Sequence, residues 1–147
     1  MDREPYPKHS VLIADDSTEH RFFIERALCH SSRLQVVGSV KNGTEVVQYL
    51  TGQNRFSDRK LWPIPDLLLL DITTPCTGGF EVLEWLQARK IPGLKVVVLS
   101  SSGLEKDIAR ARGMGINAFF TRSDDFDKLL QLVQSLENFL LGSSPLH

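Results

Sequence analysis

Asp71 closes the stretch "PDLLLLDITTP", residues 65–75, in which four leucines stand directly before one carboxylate and a Thr-Thr-Pro turn follows it. A second acidic group, the pair Asp15 and Asp16, follows the apolar run "SVLIA", while Ser100 and the pair Thr121-Arg122 end two further apolar runs. Carboxylates brought within a few ångströms repel one another, and without a partner at least one of them must keep its proton. A divalent cation removes that conflict, and carboxylate oxygens with water are the donors that Mg²⁺ prefers. Such an ion screens an incoming phosphoryl group, while a hydroxyl and a cation on neighbouring segments hold its remaining oxygens.

Taken singly, the same residues have ordinary roles. An Asp-Asp pair before "STEH" suits a helix N-cap and turn, and Asp71 before a proline suits a turn. Ser100 reads as a loop hydroxyl and Arg122 as a solvated charge. Their weight depends on whether the chain brings them together.

The elements needed to do so are legible. Residues 10–14, 34–40, 66–70, 95–100 and 117–121 are short runs, apolar on both faces as buried parallel strands are. Helical spacing links Phe23, Ile24, Ala27 and Leu28, then Val46, Val47 and Leu50, then Phe80, Leu83 and Leu86. A fourth helix over 105–112 stops at Gly113 and Gly115, and a fifth carries Phe126, Leu129, Leu130, Val133, Leu136 and Leu140 before Gly142. Strand and helix thus alternate five times, which predicts a doubly wound α/β fold: a parallel five-stranded sheet with right-handed crossovers and helices on both faces. Ligands of such open sheets sit beyond the carboxyl ends of the strands, so Asp15, Asp16, Asp71, Ser100, Thr121 and Arg122 are expected along one edge.

Composition agrees with a single domain: 147 residues, 41% hydrophobic, suffice for one core. The 17 basic residues nearly cancel the 18 acidic ones, so net charge draws the chain neither to nucleic acid nor to an anionic membrane. Cys29 and Cys76 form no C-x-x-C pair, which fits free thiols, and no apolar leader or spanning segment is present, which leads us to expect a cytoplasmic protein. The expected boundaries are a tail at 1–9, one domain at 10–141 and a tail at 142–147, with no output domain. The polar connection 51–65, with Pro63 and Pro65, is long; Phe56 and Trp62 on it either meet a partner or cap the core.

"VLIADDS", "PDLLLLDITTPCTGGFEVL", "KVVVLSSS" and "GINAFFTRS" together resemble, in order and nearly in spacing, the receiver domain of a two-component response regulator, from Ser10 to Leu141. The resemblance implies a flavodoxin-like sheet of strand order 2-1-3-4-5. It also implies that Asp71 accepts a phosphoryl group from a phosphohistidine on a histidine kinase or phosphotransfer protein. Asp15, Asp16 and Asp71, with the Thr73 backbone carbonyl, are then the Mg²⁺ ligands. Ser100 is the hydroxyl that meets the phosphoryl group, Phe119 the aromatic switch position and Arg122 the basic position. Pro75, Gly78 and Gly79 match the family's turn after the third strand, and Thr73 and Ser102 match positions that tune phosphoryl lifetime. Signalling would pass to an unknown downstream protein through the face of the fourth helix, fifth strand and fifth helix, and nothing in the pattern selects monomer or homodimer. Ending after the fifth helix resembles single-domain, chemotaxis-type regulators, and the long connection before the third strand resembles the subgroup associated with phytochrome-like kinases.

One departure stands out: the family's Lys-Pro pair is Arg122-Ser123 here, a planar fork in place of a compact ammonium. The alternative is therefore a pseudo-receiver, an interaction module that keeps the fold without the phosphorylation switch. A haloacid dehalogenase would carry a second aspartate where Thr73 stands, and the "DDSTEH" carboxylates would repel a flavodoxin's cofactor phosphate. His9, His20, His30 and His147 show no ligand-like grouping and are expected to be solvated. Cys76 near Asp71 is either an oxidation-sensitive thiol or incidental, and Lys106, Arg110 and Arg112 either attract an acidic partner or form a solvent face.

Overall fold

A computed structural model of the chain describes residues 8–73, 78–101 and 105–141. Pro75, Cys76, Ser102, Gly142 and His147, named above, lie outside them. Five strands, β1 (His9–Ala14), β2 (Leu34–Val40), β3 (Leu67–Asp71), β4 (Lys95–Ser100) and β5 (Ala118–Thr121), alternate with five α-helices, α1 (Thr18–Leu28), α2 (Gly43–Thr51), α3 (Gly79–Ala88), α4 (Glu105–Gly113) and α5 (Phe126–Leu141). All strand pairings are parallel and the order is β2-β1-β3-β4-β5. The fold class and strand order are those expected.

The leucine run shows why both faces are buried. Side chains alternate across a strand, so Leu68 and Leu70 join Leu12, Ala14, Val96 and Val98 on the face covered by α2, α3 and α4. Leu67 and Leu69 join Val11, Ile13, Val97 and Leu99 on the other face, under α1 and α5. β1 and β3 run in register, Ala14 opposite Leu70, so the next residue of each, Asp15 and Asp71, emerges side by side at the carboxyl edge.

Helix α1 differs from its expected face. Its buried residues are His20, Ile24, Ala27 and Leu28, spaced by four, three and one, whereas Phe22 and Phe23 are exposed. The inward stripe runs back one turn to a histidine instead of turning through Phe23. The helix is capped by Ser17, whose hydroxyl accepts from the His20 amide at 3.1 Å.

The connection from α2 to β3 is packed. Phe56, in a 3-10 turn over Asn54–Phe56, is fully buried, and Trp62 meets both Phe56 and Tyr49 edge-on. The Tyr49 hydroxyl donates to the Pro63 carbonyl at 2.9 Å, and burial pushes its pKa up to about 12. Arg59 donates to the carbonyls of Leu50 and Trp62. Of the two readings of this segment, its aromatics cap the core.

At the entrance to α3, Gly78 has φ +71°, a left-handed conformation that glycine adopts without steric cost, and Gly79 lies so close to Ile72 that a Cβ there would collide with it.

Candidate functional site

Asp15, Asp71 and Ser100 are each 2% exposed, rare for polar side chains and rarer for two adjacent carboxylates. Each carboxylate spends one oxygen on the local backbone. The Ser17 amide donates to Asp15 Oδ1 at 2.9 Å, and the Thr73 amide donates to Asp71 Oδ1 at 2.6 Å. In this respect the ordinary turn-forming role and the candidate functional role coexist. The other oxygens turn inward, where Asp15 Oδ2 meets Nδ1 of His20. Asp71 Oδ2 lies 3.8 Å from the same nitrogen and 2.9 Å from Nε of Arg122. Although that last pair is close, neither Asp71 Oδ2 nor Arg122 Nε is satisfied by a hydrogen bond; the N–H does not point at the oxygen, and the contact is coulombic.

The charges explain how the cluster tolerates burial. Desolvation alone would raise the Asp15 pKa, but hydrogen bonds from His20 and the Ser17 amide outweigh it, and the net shift is downward. Asp71 moves the other way: burial and the neighbouring Asp15 charge exceed the help of Thr73 and Arg122, and its pKa is raised. For His20, burial opposes the charged form, yet the Asp15 carboxylate prevails and the pKa is raised. Its Nε2 faces the carbonyl of Ser123 at 3.0 Å, so both ring nitrogens look at acceptors. Two anions are thus balanced by His20 and Arg122.

His20 corrects the expectation that the histidines are solvated: it is 1% exposed and lies at the centre of the carboxylate cluster. The available signal was positional, since stepping back four residues from Ile24 along the inward face of α1 lands on it. Arg21 was also missed; its guanidinium donates to the Asp15 carbonyl at 2.6 Å.

Other expected residues fall into place unevenly. Asp16 is exposed beside the buried group. Thr73 is half-buried, and its hydroxyl accepts from the Ser101 amide at 3.1 Å, tying the ends of β3 and β4 together. The Arg122 amide donates to the Ser100 carbonyl at 2.9 Å, which carries the guanidinium to Asp71. Thr121 is exposed on β5, and Phe119 is half-buried against the α2–α4 side of the core. On α4, Arg110 stacks over the Phe80 ring at 4.0 Å, so one of its three named cations also packs.

The donors suit a divalent cation. Asp15, His20 and Asp71 each present a ligand atom within 4.8 Å of the others, and a buried carboxylate oxygen with no hydrogen bond is a group an ion would satisfy.

A doubly wound sheet with two buried carboxylates at its carboxyl edge defines a class, and the comparisons agree. The response regulator receiver domain family matches over residues 11–134, and the chain belongs to that family. It is 28% identical over 144 residues to response regulator Rcp1 of Synechocystis sp., covering 96% of this chain and 95% of Rcp1. The Mn²⁺-bound form of Rcp1 superposes with a TM-score of 0.75 at 26% identity, covering 95% of this chain and 99% of that one. The phosphorylated cyanobacterial phytochrome response regulator RcpA gives a TM-score of 0.78 at 30% identity (94% and 97% covered). RPA3017, from red light signalling in R. palustris, gives 0.82 at 27% (97% and 99% covered). Receiver domains bind divalent metal at an acidic pocket and interact with histidine kinases or phosphotransfer proteins. Among the described residues no helix is long and apolar enough to cross a membrane.

Proposed function

We propose that the chain is a phosphoryl-accepting response regulator: Asp71 takes a phosphoryl group from a phosphohistidine of a histidine kinase or phosphotransfer protein. The observation that carries this reading is Asp71 Oδ2, a buried carboxylate oxygen without a hydrogen bond, facing an equally unsatisfied Arg122 Nε at 2.9 Å. In the transfer, that oxygen forms a bond to phosphorus, the phosphorus–nitrogen bond to the donor imidazole breaks, and an acyl phosphate results. Asp15, Asp16, Asp71 and the Thr73 carbonyl would hold the cation, for which Mg²⁺ is the choice of an oxygen donor set, and a metal-bound Rcp1 supports a metal here. Bound there, the ion would screen charge on the transferred group.

The chain's own groups do the rest. Arg122 places a cation where the phosphoryl oxygens arrive, and its buried N–H gains an acceptor. The Ser100 hydroxyl, at the buried end of β4, closes on another oxygen. Movement of Ser100 and of half-buried Phe119 would repack the α4-β5-α5 face, from which a downstream protein reads the state in the cytoplasm, whether as monomer or homodimer. The chain works as a signalling acceptor, with self-phosphorylation and self-dephosphorylation its only chemistry. Similarity to RcpA, a phytochrome response regulator, and to RPA3017 of red light signalling supports a phytochrome-type kinase as donor.

The test is incubation with Mg²⁺ and acetyl phosphate followed by intact mass, beside Asp71→Asn. A gain of one phosphoryl group, absent from the variant and without added cation, is expected. No gain, with acetyl phosphate and with a panel of histidine kinases, transfers the reading to the pseudo-receiver, in which Arg122-Ser123 has ended the switch.

A further inference from the structure

In the metal-free site His20 balances the buried Asp15 charge, and its placement suits a second role. A buried histidine that served only to fill α1's inward stripe would face leucines, as Ile24 and Leu28 do. This one puts Nδ1 against Asp15 Oδ2 and 3.8 Å from Asp71 Oδ2, the two carboxylate oxygens that the local backbone leaves free. Its other nitrogen is committed: Nε2 lies 3.0 Å from the Ser123 carbonyl, a group that only accepts, so Nε2 carries a hydrogen and donates. In the neutral ring the lone pair is then on Nδ1, in the midst of the carboxylates. A ring nitrogen anchored to a backbone carbonyl while the opposite one faces a cluster of anions is how metal-binding histidines are held.

We propose that His20 is a nitrogen ligand of this cation site, through Nδ1, and that the site accordingly takes a first-row transition ion such as Mn²⁺ in preference to Mg²⁺. This rests on the reading of Asp15 and Asp71 as cation ligands given above. Imidazole is a good donor to first-row ions, whereas Mg²⁺ holds to oxygen and water, so a mixed Asp, Asp, His set separates the two. The exchange balances: the ion forms a bond to Nδ1, and the proton that lay between His20 and Asp15 leaves to solvent. Ser123 gains a role as well, because its carbonyl, on the connection between β5 and α5, sets the orientation of the ring. Occupancy of the site is thereby linked mechanically to the edge of the α4-β5-α5 face.

The experiment is electron spin-echo modulation spectroscopy on the full chain loaded with Mn²⁺, prepared with natural-abundance histidine and again with ¹⁵N-histidine. The expected result is a directly coordinated ¹⁴N coupling that converts to the ¹⁵N pattern on labelling. His20→Gln should lose the coupling and raise the Mn²⁺ Kd about tenfold or more, with a smaller change for Mg²⁺, while His30→Gln should keep both. Bound Mn²⁺ without histidine coupling overturns the inference and leaves the cation site standing. No Mn²⁺ bound to the wild-type chain overturns both. Should His20→Gln fail to fold, the labelled wild-type protein decides by itself.

Discussion

Two aspartates five residues apart bracket the same strand and have opposite fates. Asp66, at the amino end of β3, accepts from the Ser10 amide at 2.9 Å and its hydroxyl at 3.3 Å, returns its own amide to Ser10, and has His9 at 3.7 Å. Its side chain is half open to water. Asp71, at the carboxyl end, also has a histidine and a neighbouring strand beside it, yet its side chain is 3% exposed and one oxygen is left without a hydrogen bond. The first aspartate is a fastener between β1 and β3: its partners on β1 stand with it at a solvated edge, and its charge costs little. The second is buried with an unspent oxygen, and beyond the Thr73 amide its charge is met by Arg122 and His20 from distant elements. Of the two ends of β3, it is the carboxyl one that leaves a buried carboxylate oxygen without a hydrogen bond.

The sharpest way to break the comparison is to remove charged groups at each end. In metal-free buffer, His20→Ala should cost about 3 kcal/mol in urea unfolding, because Asp15 stays buried without its cation and the Ser123 carbonyl loses its donor; a loss as small as that of an exposed pair would contradict the assignment. Asp71→Asn should move stability in the opposite direction, by about 1 kcal/mol upward, since burial and Asp15 both disfavour its charge; a melting temperature at or below the wild type would count against the unspent carboxylate. Asp66→Ala should matter least, by roughly 0.5 kcal/mol and less at high salt, as exposed pairs do.

A pH series sharpens the same contrast. His20 binds its proton more tightly in the folded chain than in the unfolded one, where the ordinary value is 6.5. The stability it contributes is therefore complete below pH 6.5 and is lost as the pH rises through the higher folded value. Metal-free wild-type protein should lose stability over that window, and His20→Gln should lose less. Equal slopes would remove His20 from the account.

Much of this molecule follows from period. The alternation of Leu67, Leu68, Leu69 and Leu70 between two cores, and the repeated βα units that force a parallel sheet, are local patterns, and with them comes the edge where Asp15, Asp71, Ser100 and Arg122 meet. Helix α1 is less legible from its period. Phe22 and Phe23 look like core residues by type, yet both are exposed, and a histidine takes the inward place, because the buried face of a helix is chosen by what it packs on. Residue type predicts burial only on average.

The amino-acid sequence by itself determined the sheet, its order of elements and the edge on which the carboxylates stand, since each depends on spacing along a few residues. Tertiary structure alone decided what surrounds those carboxylates. His20 meets the Ser123 carbonyl across a sequence separation of 103 residues, and Arg122 comes to Asp71 from a different strand. Such contacts depend on how α1 is rotated and where the turn after β5 carries the backbone. No local period encodes either, so charge compensation within the site becomes visible only once the chain is folded.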